Sequence, residues 1–255
     1  MDFYFQGRAS ANKGSTPENM AQARCFYERA LALDPSNIEA LVGTAQVDFA
    51  SIANFLSGDR RADVAAAEAA LTKVLSLAPN HARAHYLLGS IRIHTNRAAE
   101  GTAKCKHALG LDRNLADAHV RIGIARLFTG AAEETESRVL EALRLSPRDS
   151  NAYVWMLCAG GAKHYLGRDE EAAAWLRRSV ETNPNYPLAH FFLASACAHL
   201  DQMSEARAAT KSGLSLDPTF TIHRLRAGES SDNPTYLAQR ERTAEGMRKA
   251  GLPEE

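Results

Sequence analysis

The chain has 255 residues, of which 45% are hydrophobic and 7% aromatic, and its 30 basic and 30 acidic residues cancel. A balanced charge lacks the electrostatic pull that nucleic acid or an anionic membrane surface calls for, so no nucleic-acid partner is expected. No apolar run approaches the ~18 residues of a spanning helix, so no membrane insertion is expected either.

Residues 1–7 contain Tyr4-Phe5-Gln6-Gly7, which reads as the scar of a protease site used to remove a purification tag. They are set aside from the fold, and the natural chain is expected to extend further upstream. Residues 8–16 (RASANKGST) are small and polar with weak periodicity, so a frayed or partial helix is expected there. Thr16-Pro17-Glu18 is a helix start, a capping hydroxyl followed by proline at the first helical position. That helix runs to about Leu33, with Ala23, Tyr27 and Ala30 on its packing face. A second unit opens at Asn37 with a long first helix through Phe55, broken by Ser57-Gly58-Asp59. A third runs from Ala82 to Asp112. The fourth, Ala116 to Pro147, carries two apolar-periodic runs on either side of Gly130, the pattern of two amphipathic helices folded back on each other. The fifth begins near Ser150 with three extra residues assigned to its first helix, and the sixth spans Pro187 to Pro218.

The units keep a period. The closing prolines Pro35, Pro79, Pro147, Pro184 and Pro218 are spaced by 44, 68, 37 and 34 residues. The 68 is two units of 34 with Arg113 where the missing proline would stand. The 44 carries ten extra residues, placed in the first helix and turn of unit two. At the turn between paired helices stand Asn96, Gly130, Gly167 and Asp201, all types that tolerate a positive φ. Inside each first helix a small residue recurs, Ala45, Gly89, Gly123, Gly160 and Ala194, which lets the paired helix approach closely. After Pro218 the pattern changes. Thr219 to Ala227 is a short helix, Gly228 to Asp232 a loop by composition, and Asn233-Pro234 starts a last, more polar helix ending at Gly251.

This pattern resembles the tetratricopeptide repeat family. The matching residues are Leu88, Gly89, Asn96 and Ala108 in one unit, and Leu193, Ala194, Ala206, Leu216 and Pro218 in the last. Tryptophan is absent from its usual place near each repeat start. The resemblance implies an all-α fold, a right-handed superhelical solenoid of about five to six helix–turn–helix units over residues 8–218, with a capping segment and helix over 219–255. Residues 164–194 and 233–254 also look like the C-terminal region of large bacterial signalling proteins, in which such repeats follow a class III nucleotide cyclase domain or a DNA-binding regulator domain, often with a TolB-like segment between. That likeness implies a sensory or interaction arm.

The family's groove-facing positions map onto Arg83, Tyr86, Ser90, His94, Arg121, Ile124, Phe128, Trp155, Phe191, Phe192, Ser195 and His199. A mostly apolar and aromatic set of this kind suits an amphipathic segment laid into the concave groove, anchored by Trp155, Phe191 and Tyr86. The same residues could instead pack against a neighbouring helix or the C-terminal helix.

Other chemistry finds little support. Cys25, Cys105, Cys158 and Cys197 are scattered through helical runs and read as small buried hydrophobes. His81 and His85 share a helix face, yet no third ligand follows at a fixed spacing, and His85, His119 and His190 recur as packing positions, so no metal or cofactor is expected. Gly160-Gly161-Ala162-Lys163 lacks the rest of a phosphate loop. Arg168-Asp169-Glu170-Glu171 reads as first-turn acids complementing the dipole of a second helix. The expectation is a non-catalytic, cytoplasmic interaction scaffold, with a periplasmic location as the alternative. The competing functional readings are a ligand-sensing module that regulates an upstream domain and a self-association module forming a homodimer.

Overall fold

The computed structural model describes residues 2–14 and 16–255; Met1 and Ser15, which fall within the first two expected segments, lie outside the described residues. The described residues form helices and connecting turns only, without a strand. Helices follow one another as antiparallel pairs, and the chain divides into two compact units, up to Ala118 and from His119 onwards.

The first unit contains α1 (Phe3–Ala11) paired with α2 (Pro17–Leu33), α3 (Ile38–Ala53) with α4 (Arg60–Leu77), and α5 (Ala82–Ile93) with α6 (Ala98–Leu111). The starts follow the side chains read from the sequence. Thr16 Oγ1 accepts from the Asn19 amide at 3.3 Å ahead of Pro17, and Asn37 Oδ1 accepts from the Ala40 amide at 2.9 Å. The N-terminus departs from expectation. Helix α1 begins at Phe3 and runs through the residues set aside as a scar, because Gly7 leaves room for the Tyr27 ring of α2, which is also seated against Gly43 of α3. Met20, Ala23, Tyr27 and Val47 form the buried cluster there, with Tyr4 packed against it. The ten extra residues of the second repeat are also spread more widely than expected. They lengthen α4 as well, to 18 residues against 14 for α6, and move the positive-φ residue of that turn to Phe55.

The second unit contains α7 (Ala116–Phe128, from His119 on), a short 3-10 turn (Ala132–Glu134), α8 (Thr135–Leu145), α9 (Ala152–Tyr165) paired with α10 (Asp169–Thr182), α11 (Pro187–His199) paired with α12 (Met203–Leu216), α13 (Ile222–Ala227) and α14 (Pro234–Lys249). The insertion in the fifth repeat lies largely in the linker from Ser146 to Asn151 ahead of α9 rather than within the helix.

The inter-helix turns fall where the sequence placed them, with φ of +60° at Asn96, +87° at Gly130, +72° at Gly167 and +57° at Asp201. The recurring small position acts by close approach. A Cβ on Gly89 would come within 2.7 Å of the Gly101 carbonyl of α6, and one on Gly160 within 2.7 Å of the Leu176 side chain of α10. The repeating histidines have a backbone task. His85 Nε2 meets the Pro79 carbonyl at 2.8 Å and His190 Nε2 meets the Pro184 carbonyl at 2.9 Å, each satisfying the acceptor exposed where a repeat closes.

Candidate functional site

In the second unit the last helix lies along the first helices of two repeats. α14 packs on α11 and α9, on the side where the groove-facing positions of α11 point. Its start is fixed by Asn233, whose Oδ1 accepts from the Tyr236 amide at 3.1 Å while its Nδ2 donates to the Thr129 carbonyl at 3.3 Å. The buried residues of α14 are Tyr236, Arg240, Thr243, Ala244, Gly246 and Met247, one face at helical spacing. Tyr236 meets the Phe128 ring edge-on at 5.1 Å and the Tyr165 ring at 5.9 Å. Burial of a large side chain of this kind stabilises by ~1.5–3 kcal/mol.

A chain of polar contacts fixes the middle of the helix. Fully buried His164, near the end of α9, places Nδ1 at 2.6 Å from Asp169 Oδ1 and Nε2 at 2.9 Å from Ser195 Oγ. Ser195 Oγ also reaches the Thr243 carbonyl of α14 at 2.9 Å, and His199 Nε2 donates to the Arg242 carbonyl at 2.9 Å. The Arg242 guanidinium donates to the His164 carbonyl and to Asp169 Oδ1, each at 3.1 Å, and pairs with Asp169 Oδ2. Burial by itself would raise the Asp169 carboxyl, but the hydrogen bonds from His164 and Arg242 outweigh it and hold that group well below the usual carboxylate range. Burial also pushes the His164 imidazole below its ordinary value, against the pull of Asp169.

The order Ser195–His164–Asp169 is that of a nucleophilic triad. Ser195, however, is fully buried in the interior of α11, and Gly246 of α14 sits directly on it. These three residues pin a helix. Gly246 is what permits the approach, since a Cβ there would overlap Ser195 Oγ and stand 2.8 Å from the Ser195 carbonyl oxygen and 2.9 Å from His199 Cδ2.

Beyond its last turn the chain closes on itself. The Ile222 and His223 amides donate to the carbonyls of Pro253 and Glu254 at 3.0 and 2.9 Å, and Arg226 pairs with Glu241. Phe220 stacks on Phe191 at 4.3 Å between ring centroids.

Of the twelve mapped groove residues, Arg83, Phe192 and His199 keep part of their surface in solvent, and the rest are buried. In the first unit, Arg83 hydrogen-bonds Gln46, Tyr86 gives its carbonyl to Ser90 Oγ at 2.9 Å, and His94 stands edge-on to Phe49 at 5.1 Å. In the second, Phe128, Ser195 and His199 contact α14, Phe191 packs under Phe220 and against Gly213, and Arg121, Ile124 and Trp155 are buried. Sequence reasoning passed over His164, Asp169, Arg242 and Gly246. Asp169 was read only as a first-turn acid, and it is indeed the first residue of α10. Lys163, in the glycine-rich stretch, is held by Glu136 at 2.7 Å and Glu171 at 2.5 Å within the helix packing.

Residues 59–116 and 162–219 match the family model of the tetratricopeptide repeat. No curated protein matches the sequence significantly. Among solved structures, a tetratricopeptide repeat protein from Parabacteroides merdae superposes with a TM-score of 0.61 at 14% identity, over 94% of this chain and 82% of that one. The Cut9–Hcn1 hetero-tetramer of the APC/C gives 0.63 at 15% identity, over 89% of this chain but 40% of that one. TTC0263 from Thermus thermophilus, a thermophilic protein of the same repeat type, gives 0.54 at 17% identity, over 75% and 91%. Tetratricopeptide repeats therefore make up residues 59–116 and 162–219, and the chain has the all-α fold of consecutive helix pairs that such repeats build.

Proposed function

We propose that the chain is a non-catalytic protein-interaction scaffold that recognises an amphipathic helix along the first helices of its repeats. The observation that carries this reading is that α9 and α11 already accommodate a helix, α14, through aromatic, polar and close-backbone contacts together. Helix-in-groove recognition uses such a mixture, with apolar anchors at i, i+3, i+4 and i+7. The partly exposed Phe192 of α11 extends the set. The likeness of residues 164–194 and 233–254 to the C-terminal regions of bacterial signalling proteins favours a role as the interaction arm of such a protein.

The test is selection of helical peptides from a displayed library on the full chain. Enriched peptides whose binding drops about tenfold on Phe192→Ala support the reading. A library that yields no peptide dependent on Phe192 overturns it.

A further inference from the structure

We infer that α14 is a resident, displaceable occupant of the groove on α9 and α11, and that the partner is a basic amphipathic helix repeating its contacts. The inference rests on the scaffold reading above and gives it a specificity. Three contacts define the code. An aromatic residue enters between Phe128 and Tyr165, as Tyr236 does. An arginine six positions later reaches the Asp169 carboxylate, as Arg242 does. A residue without a side chain, four positions further, lies on Ser195, as Gly246 does.

Charge complementarity decides the sign of the partner. The groove offers a carboxylate that stays ionised, buried beside His164 and answered from outside by one guanidinium. A helix bringing no cation would leave Asp169 charged and underpaired in the interior, the costly outcome for a buried ion. Arg242 keeps 30% of its side-chain surface in solvent, whereas Asp169 keeps 7%. The arginine can therefore leave for water, while the carboxylate stays behind and selects its replacement. The specificity of α14 lies in residues that the groove reads: its departure uncovers Ser195, His199, Phe128 and Tyr165 and leaves Asp169 to the incoming cation. A competing helix shifts the population by its differential affinity for the vacated groove.

Gly246→Ala in the full chain is the decisive variant, because it blocks seating of α14 and leaves every groove side chain intact. A fluorescent peptide of residues 233–250 stands in for the partner helix. We expect it to bind the Gly246→Ala chain at least about tenfold more tightly than the wild-type chain. Binding should be lost when the peptide itself carries Gly246→Ala or Arg242→Glu, and when the chain also carries Asp169→Asn. Arg242→Glu in the chain, which sets a carboxylate against Asp169, opens the groove independently and should give the same gain if Gly246→Ala disturbs folding. Equal binding to wild type and both opened variants overturns the proposal, as does no binding to any. A wild-type dimer that forms with concentration and vanishes on Gly246→Ala would assign the groove to a second copy and also overturn it. Library peptides that depend on Phe192 but ignore Asp169 would leave the scaffold reading standing and sink this one.

Discussion

In the unit ending at Ala118, the groove-side positions of α5 are satisfied by the neighbouring repeat. Gln46 of α3 takes Arg83, Phe49 takes the His94 ring, and the Ser90 hydroxyl turns back to its own helix. In the unit that follows, the equivalent positions of α11 are satisfied by a helix that is no part of the repeat, with Ser195 bound to Thr243 and His199 to the Arg242 carbonyl. The difference shows that a repeat can close its inner face locally, with side chains of the preceding repeat, or at a distance, with a helix from beyond the repeats.

The sharpest way to break the comparison is Tyr27→Ala. Tyr27 is 2% exposed and wedged between Gly7 and Gly43, so its removal should cost about 3–5 kcal/mol and dissolve the first unit's core. Denaturant unfolding by circular dichroism measures it. A loss below about 1 kcal/mol would mean that α1 does not cover that ring.

A double-mutant cycle comes next. Arg242→Ala should cost about 1.5–3 kcal/mol, Asp169→Asn should also destabilise, and the double variant should cost well less than the sum, because the pair acts as a unit. Additive losses would show that α14 is held by its apolar face alone. Trp155 and Trp175 are the only tryptophans and both lie in the second unit, so their fluorescence follows that unit.

Acid acts with opposite sign on one buried carboxylate of each unit. His164 titrates below its ordinary value in the fold, so the unfolded chain takes up the proton first and the second unit weakens as pH falls through about 6.5. The contribution of Asp169, present above about 4, is lost as pH falls further. Asp48 of the first unit runs the other way. Burial raises its carboxyl despite the pairing with Arg24, so it favours the folded state more as pH drops towards about 4. Thermal melts should therefore show the tryptophan signal shifting to lower temperature on acidification, and Asp169→Asn should flatten its low-pH limb. A tryptophan transition independent of pH between about 7 and 4 would contradict this.

The smallest effect is local. Asp201 holds φ at +57° in the α11–α12 turn, so Asp201→Gly should stabilise by up to about 1 kcal/mol through relief of that conformation. A clear destabilisation would assign the aspartate a contact beyond its backbone role.

Much of the fold was legible because its determinants are local. The four turn residues Asn96, Gly130, Gly167 and Asp201 were placed by spacing and all take positive φ, since few residue types tolerate it. Asn233-Pro234 was read as a helix start and caps α14 as expected. The N-terminal reading differed because Tyr4-Phe5-Gln6-Gly7 resembles a processing scar, while the fate of those residues depends on a ring twenty positions away, Tyr27. The candidate site was less legible for the same reason. The groove positions follow from the repeat period, but period says nothing about which distant segment covers them. His164, Asp169 and Arg242 carry no motif, and 73 residues separate the paired carboxylate and guanidinium.

The sequence alone determined the helical period, the places where pairs turn and the small positions at which they touch, because each depends on residues within one or two turns of one another. Only the tertiary structure decided that α1 begins at Phe3 and that α14 lies on α9 and α11 with Gly246 against Ser195. Those outcomes depend on shape and charge meeting across the chain, where a single missing Cβ or one buried carboxylate selects the partner surface.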